Sequence, residues 1–259
     1  MKLFRFMHSG EIHYGVLHDV ELTLIEGDLF GAWKEGAERV KLSEVKLLAP
    51  VMPSKVVALG LNYRDHAKEM GLPIPAEPIL FLKPPTAVIG PNEPILYPAG
   101  GITQRVDYEA ELAIVLGKKA KDVTAAAAGE YILGYTCLND VTARDLQAKD
   151  GQWTRAKSFD AFCPLGPCLE TELDTSDLKV ETVLNGKVVQ SSSTRELVFD
   201  VPNLVAQVSR VMTLLPGDVI ATGTPPGVGP MKPGDTVTIY VEGIGRLTNP
   251  VKMAPFFDE

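Results

Sequence analysis

Asp107, Glu109 and Glu111 alternate with Tyr108 and Ala110 in "RVDYEAELAIVLGK", residues 105–118, and the stretch from Leu112 to Leu116 then runs apolar. Successive side chains of a β-strand point to opposite faces, so on one strand these three acids share a face. Like charges crowded on one face repel, and burying them costs several kcal/mol each unless something neutralises them. Asp140, in "CLNDVTARD", ends another apolar run. Glu109, Glu111 and Asp140 together would offer three oxygen ligands with open positions beside them, the donor set preferred by Mg²⁺ or Mn²⁺ and less often by Ca²⁺. The plainer alternative is a solvated strand face paired with Arg105 or a lysine, and E-x-E alone favours that alternative.

Other residues could act beside such a cluster. His66 and Glu69 stand three apart in "NYRDHAKEMG", a helical spacing at which a carboxylate orients an imidazole and raises its basicity. Such a pair could activate water as general base. Lys157, in "TRAKSFD", could hold an anionic substrate or stabilise an enolate. Arg144 and Gln147 repeat the three-residue spacing just after Asp140. "ATGTPPGVGP", 221–230, places threonine hydroxyls and glycine-rich backbone amides after a strand, where N–H groups can cradle a carboxylate. It lacks the Lys-Ser/Thr ending of a nucleotide-binding phosphate loop. Taken one at a time, each of these is more often an ordinary surface residue or a tight turn.

The elements that must position these groups are mostly strands: "KVVALGL", "ILFLKP", "AELAIVLG", "YILGYTCLN", "VETVLNGKVVQ", "DVIATGT" and "DTVTIYVEG". Asn185-Gly186 is a two-residue hairpin signal, and Pro-Gly-Asp at 216–218 and 233–235 marks two turns. Three short helices are expected around 63–70, 143–149 and 202–212. Their expected caps are Asn62, Thr142 and Asp200, with Gly71 and Gly151 as stops for the first two. Pro50 and Pro53 separate a small N-terminal β-unit, 1–52, from a larger unit, 53–259. The fold class is β-rich α+β, without the regular alternation of a doubly wound sheet.

Composition narrows the function. The 259 residues carry a net charge of -8, which disfavours nucleic acid and anionic membrane as partners. No apolar run approaches the roughly 18 residues of a membrane span, and the first residues alternate like a strand rather than a signal peptide. The three cysteines suggest neither a disulfide framework nor a paired metal site, so a reduced, cytoplasmic protein is expected.

The order of these motifs is more specific than any one of them. "GLNYRDHAKEMG", "FLKP", "VDYEAELAIVLG", "NDVTARDLQ", "WTRAKSFD" and "GDVIATGTPPGVG" together resemble the fumarylacetoacetate hydrolase family, from about Lys55 nearly to the C-terminus. The resemblance is strongest to its short acylpyruvase-like and 2-hydroxyhepta-2,4-diene-1,7-dioate isomerase-like members. It implies a mixed β-roll, a homodimer, and Glu109, Glu111 and Asp140 as ligands of Mg²⁺ or Mn²⁺, with Ca²⁺ as a further option. It also implies His66 and Glu69 as a water-activating pair on a lid and Lys157 as the lysine facing the substrate. Arg144, Gln147 and Thr224 would be contacts to the oxo-acid end, and Asp107 falls outside the metal set. The implied reaction is carbon–carbon bond hydrolysis of an acylpyruvate-type 2-oxo acid. The alternative is decarboxylation or isomerisation of 2-oxo or 2-hydroxydienoate acids, oxaloacetate included. The lid is expected to bring His66 and Glu69 together only on closing over a bound oxo acid. A non-catalytic binding module would not need the acid–base pair, and a phosphoesterase would be expected to bring further histidine ligands.

Overall fold

In a computed structural model of the protein, described here for residues 1–255, strands dominate and helices are few and short. The largest sheet runs side by side through Trp33–Lys41, Glu21–Gly27, Glu11–His18, Lys2–His8, Cys163–Glu170, Ile132–Asn139, Ala110–Leu116, Val219–Ala221, Val56–Gly60 and Ile79–Lys83. Most neighbours are antiparallel, while Val219–Ala221 and Val56–Gly60 are parallel, so the sheet is mixed. A five-stranded sheet, including Lys179–Leu184, Thr236–Val241 and Gly245–Met253, and a three-stranded sheet of Thr142–Ala143, Val106–Tyr108 and Gly229–Met231 complete it. This is the β-rich α+β architecture expected.

Strand Ala110–Leu116 is central, and all seven of its residues are buried. Its alternation feeds two cores. Leu112, Ile114 and Leu116 pack into the cluster that contains Val237, Ile239 and Leu247 of the five-stranded sheet. Ala113 and Val115 pack on the other side with Val56, Ala58, Val219 and Leu138. A strand covered on both faces is largely apolar, which is why Leu112 to Leu116 read as an unbroken run after Glu111. Lys2–His8 pairs with Cys163–Glu170 (Leu3 opposite Leu169), so the first strands continue the sheet of the rest of the chain. Asn185 and Gly186, at φ +50° and +82°, close the hairpin that joins Lys179–Leu184 to Lys187–Ser193. Both central residues of that tight turn require the left-handed region.

The helices are α1 (Arg64–Met70), α2 (Arg144–Asp150), α3 (Thr154–Lys157) and α4 (Val201–Val211). Helix α3 was not expected from the sequence, since four residues are too few to show a helical period. Asp200 caps α4 by accepting from the Asn203 N–H at 3.0 Å, with Pro202 in the first turn. Two expected caps are corrected. The residue before α1 is Tyr63 and that before α2 is Ala143, neither with a side-chain cap. Asn62 instead donates to the carbonyls of Phe199 and Thr222, and the Thr142 hydroxyl lies 2.8 Å from the Asp140 carbonyl and 3.2 Å from Glu109 Oε1, sharing its one proton between them. Tertiary partners claimed both side chains. No helix among the described residues is long and apolar enough to cross a membrane. Replacing Asp200 by alanine should destabilise the protein by about 1 kcal/mol, read from the denaturation midpoint, without altering the site.

Candidate active site

The acids of the 105–118 stretch lie not on one strand but at a seam. Val106–Tyr108 belongs to the three-stranded sheet and Ala110–Leu116 to the large one, and Glu109 sits at the break between them. The shared-face expectation therefore fails for Asp107, while Glu109 and Glu111 still converge. Asp140 follows directly on Ile132–Asn139. Its N–H donates to the Glu109 carbonyl at 3.0 Å, and Asn139 Oδ1 accepts from the Glu109 N–H at 2.9 Å. One carboxylate oxygen from each of Glu109, Glu111 and Asp140 lies within 4.8 Å of the others, and all three residues are buried.

Four cations balance these acids. Lys157 Nζ donates to Glu109 Oε2 at 3.0 Å and Asp140 Oδ2 at 2.6 Å. Lys83, fully buried, donates to the carbonyls of Lys157 (2.6 Å) and Val141 (3.2 Å). Its Nζ also lies 2.7 Å from Asp140 Oδ1, at ion-pair distance but outside hydrogen-bond geometry. Arg144 reaches three ways: Nε to Asp107 (2.9 Å), Nη1 to Gln147 Oε1 (2.7 Å) and Nη2 to Glu109 Oε1. Arg105 takes both oxygens of Asp107, at 2.8 and 3.1 Å. Asp107 is thus the counter-ion that orients two arginines, and it is not one of the three acids whose oxygens cluster. Lys83 was not singled out from the sequence. Within "FLKP" it carried no assigned role, as a lysine closing the otherwise apolar strand Ile79–Lys83.

The charges follow from these contacts. Burial alone would raise the Glu109 carboxyl, but Lys157 and Arg144 outweigh it and hold the group down at about 2. Burial, then Asp140 and Glu109, push the Glu111 carboxyl well above the ordinary glutamate range. Burial works to lower the Lys157 ammonium, yet Asp140 and Glu109 prevail and raise it. Glu111 Oε2 accepts from the Gly223 N–H at 2.7 Å, whereas Oε1 is buried without a hydrogen-bond partner. An orphaned carboxylate oxygen beside two further carboxylates is what a hard divalent cation would complete, so these residues fit one. Burial pushes the Cys163 thiol up to about 12, which suits neither a nucleophile nor a metal ligand.

A cavity of about 170 Å³ opens on this cluster. Its polar side is lined by Glu109, Lys157, Arg144, Gln147, Thr224 and His66. His66 Nδ1 pairs with Glu69 Oε2 at 2.9 Å within α1. A carboxylate only accepts, so Nδ1 carries the proton of a neutral ring and Nε2 is left as the base. Glu69 Oε1 in turn accepts from the Gly227 N–H at 3.1 Å. The far side of the lid is held by Arg64 Nη1 donating to the Leu197 carbonyl at 2.6 Å and by Ser192 Oγ donating to Asp65. The structure shows α1 seated over the cavity with the His66–Glu69 pair formed. Thr224 Oγ1 accepts from the fully buried Gln190, whose Oε1 accepts from the Ala110 N–H and from Thr182. Gln190 thereby ties the glycine-rich loop to the strand carrying Glu111. As a lone glutamine in a polar run, it left no signal in the sequence.

The fumarylacetoacetate (FAA) hydrolase C-terminal profile matches residues 55–252, and a Rv2993c-like N-terminal profile matches 1–50. The chain belongs to the fumarylacetoacetate hydrolase family. A crystal structure of 5-carboxymethyl-2-hydroxymuconate delta-isomerase from Mycobacterium smegmatis is 50% identical, with a TM-score of 0.92 over 98% of this chain and 100% of that one. Maleylpyruvate hydrolase from Sphingobium sp. SYK-6, in complex with manganese(II) ion and pyruvate, is 32% identical, with a TM-score of 0.82 over 98% of this chain and 100% of that one. The human mitochondrial oxaloacetate tautomerase FAHD2B is 46% identical over 222 residues, 81% of this chain and 70% of that protein. The chain is accordingly a family enzyme whose relatives include isomerases, hydrolases and tautomerases.

A cation at the cluster would compete with a proton on Glu111. Because the folded pKa of that group is raised, the metal-free fold is favoured by it below the ordinary glutamate range and loses that contribution as pH rises toward the raised value. Mn²⁺ should therefore raise the melting temperature more at pH 8 than at pH 5, and Glu111→Gln should abolish most of the difference. An equal shift at both pH values would contradict this.

Proposed function

We propose that this enzyme hydrolyses the carbon–carbon bond of an acylpyruvate-type 2-oxo acid in a divalent-metal-dependent reaction. The observation that carries the reading is the seated His66–Glu69 pair on the cavity that Glu109 and Lys157 also line. Glu109, Glu111 and Asp140 would hold Mg²⁺ or Mn²⁺, with Ca²⁺ a weaker option, and such an ion acts as a Lewis acid on the oxo-acid oxygens and on developing enolate charge. The manganese and pyruvate in the maleylpyruvate hydrolase structure support this assignment.

The protein's own groups divide the remaining work. Arg144, Gln147 and Thr224 bind the carboxylate end, since their donors line one side of the cavity. Lys157, charged and buried, favours negative charge on the leaving pyruvate fragment. His66 Nε2 takes a proton from water attacking the distal carbonyl, and Glu69 stabilises the imidazolium that forms. The same histidine can later return the proton as the carbon–carbon bond breaks. Charge favours an anionic substrate. Asp107, Glu109, Glu111 and Asp140 meet Arg105, Arg144, Lys83 and Lys157, so a divalent cation leaves a positive surplus for a carboxylate to offset.

A second reading, isomerisation or tautomerisation of an oxo acid, is favoured by the isomerase and tautomerase names among the relatives. It needs only proton transfer by His66, without attacking water. We further propose a cytoplasmic homodimer, on the family resemblance. Light scattering should give twice the 28.0 kDa of one chain. His66→Ala should lower kcat for acylpyruvate hydrolysis by about a hundred- to ten-thousand-fold while leaving Mn²⁺ affinity unchanged. Undiminished hydrolysis by that variant would remove His66 as the base. Loss of oxaloacetate enolisation, with no acylpyruvate turnover even in the wild type, would favour the second reading.

A further inference from the structure

Gly60 ends the strand Val56–Gly60 on the wall of the cavity, and a Cβ there would lie 2.6 Å from two ring carbons of Trp153. Carbon atoms in contact sit about 3.5–4.0 Å apart, so any side chain at 60 displaces the indole. The next atom a Cβ would meet is Ile79 Cβ, at an ordinary 3.7 Å. The ring of Trp153 meets Phe81 edge-on, with centroids 5.2 Å apart, and Phe81 lies 5.0 Å from Lys157 Nζ. Contacts thus run outward from the acid cluster through Lys157, Phe81 and Trp153 to Gly60. Leu59, Met70 and Leu72 line the same cavity. Among the described residues lining it, the arginine and lysine are Arg144 and Lys157, both bound to Glu109.

We propose that Trp153, admitted by Gly60, is a specificity-determining wall against which the substrate's distal acyl group packs, selecting short, uncharged, apolar tails. The orientation of the substrate rests on the hydrolase reading above. A carboxylate-ended tail would lose its hydration against Trp153, Phe81 and leucines, with the lining cations Arg144 and Lys157 already paired with Glu109 and assigned to the oxo-acid end. The volume, about 170 Å³, is small beside the roughly 300–1,000 Å³ of drug-sized sites, so long tails are excluded by the ring itself.

The test compares Mn²⁺-loaded wild type, Gly60→Ala, Trp153→Ala and the double variant on acetyl-, butyryl-, hexanoyl- and fumarylpyruvate. In the wild type, kcat/KM should fall at least about tenfold from acetyl to hexanoyl and again to fumarylpyruvate. Trp153→Ala should shift the preference toward hexanoylpyruvate by about tenfold or more. Gly60→Ala should slow even acetylpyruvate by about tenfold, and Trp153→Ala should rescue it, since the added methyl then has nothing to displace. Equal losses on every tail, no rescue in the double variant, or a wild-type preference for fumarylpyruvate would overturn the proposal. If the wild type hydrolyses none of these, the hydrolase reading fails by itself. Calorimetric binding of pyruvate, 2-oxobutyrate, 2-oxohexanoate and 2-oxoglutarate then tests the wall. Trp153→Ala must favour 2-oxohexanoate and 2-oxoglutarate must bind weakest, and any other ranking overturns it.

Discussion

Four carboxylates buried at a seam between two sheets constrain everything around them. Asp107, Glu111 and Asp140 are sealed from solvent and Glu109 nearly so. Each must find a cation or a proton, because an unpaired buried charge costs several kcal/mol even after relaxation. Lys83, Lys157, Arg144 and Arg105 meet that demand for Asp107, Glu109 and Asp140, and their anchorage explains otherwise odd local structure. Helix α3 is a single turn, yet it delivers Lys157 to Glu109 and Asp140 while its last carbonyl accepts a hydrogen bond from Lys83. The chain breaks its strand at Glu109 so that Asp107 can face two arginines while Glu111 faces Asp140.

This neutralisation is uneven, and the unevenness is useful. Glu109 is held ionised at about 2 by two cations, whereas Glu111 lacks a cation of its own and is pushed upward by burial and its acidic neighbours. Its free oxygen marks where the set is incomplete. Glu111 Oε1 has no hydrogen-bond partner and Asp140 Oδ1 has only the Lys83 ion pair, so these two oxygens are the least satisfied of the set. The lid follows the same logic. Glu69 both orients His66 and accepts from Gly227, so the imidazole and the glycine-rich loop are set by one carboxylate.

The periodic parts of the fold were legible in advance. Strand Ala110–Leu116 declared itself by the apolar run from Leu112 to Leu116, the 179–193 hairpin by Asn185-Gly186, and α4 by Asp200, Pro202 and a core-facing stripe. The caps assigned to Asn62 and Thr142 failed because polar side chains near a helix start also serve distant partners. Asn62 bonds to residues more than a hundred positions away, and no local pattern carries that information.

The chain's own order of residues determined the chemistry available: three acids spaced for a hard cation, a histidine and glutamate one helical turn apart, a lysine, and a glycine-rich loop. Residue type and short-range spacing are local properties, so they survive without a structure. Tertiary structure decided how the acids are held. It separated Asp107 from Glu111 by a change of sheet, made Lys83 a member of the site from 57 positions before Asp140, and recruited Gln190 to fix Thr224. It also set Trp153 against Gly60, an approach of two residues 93 positions apart that only the packed cavity wall creates. Such pairings depend on sheet order and on the balance of buried charge across elements, and both are properties of the folded whole.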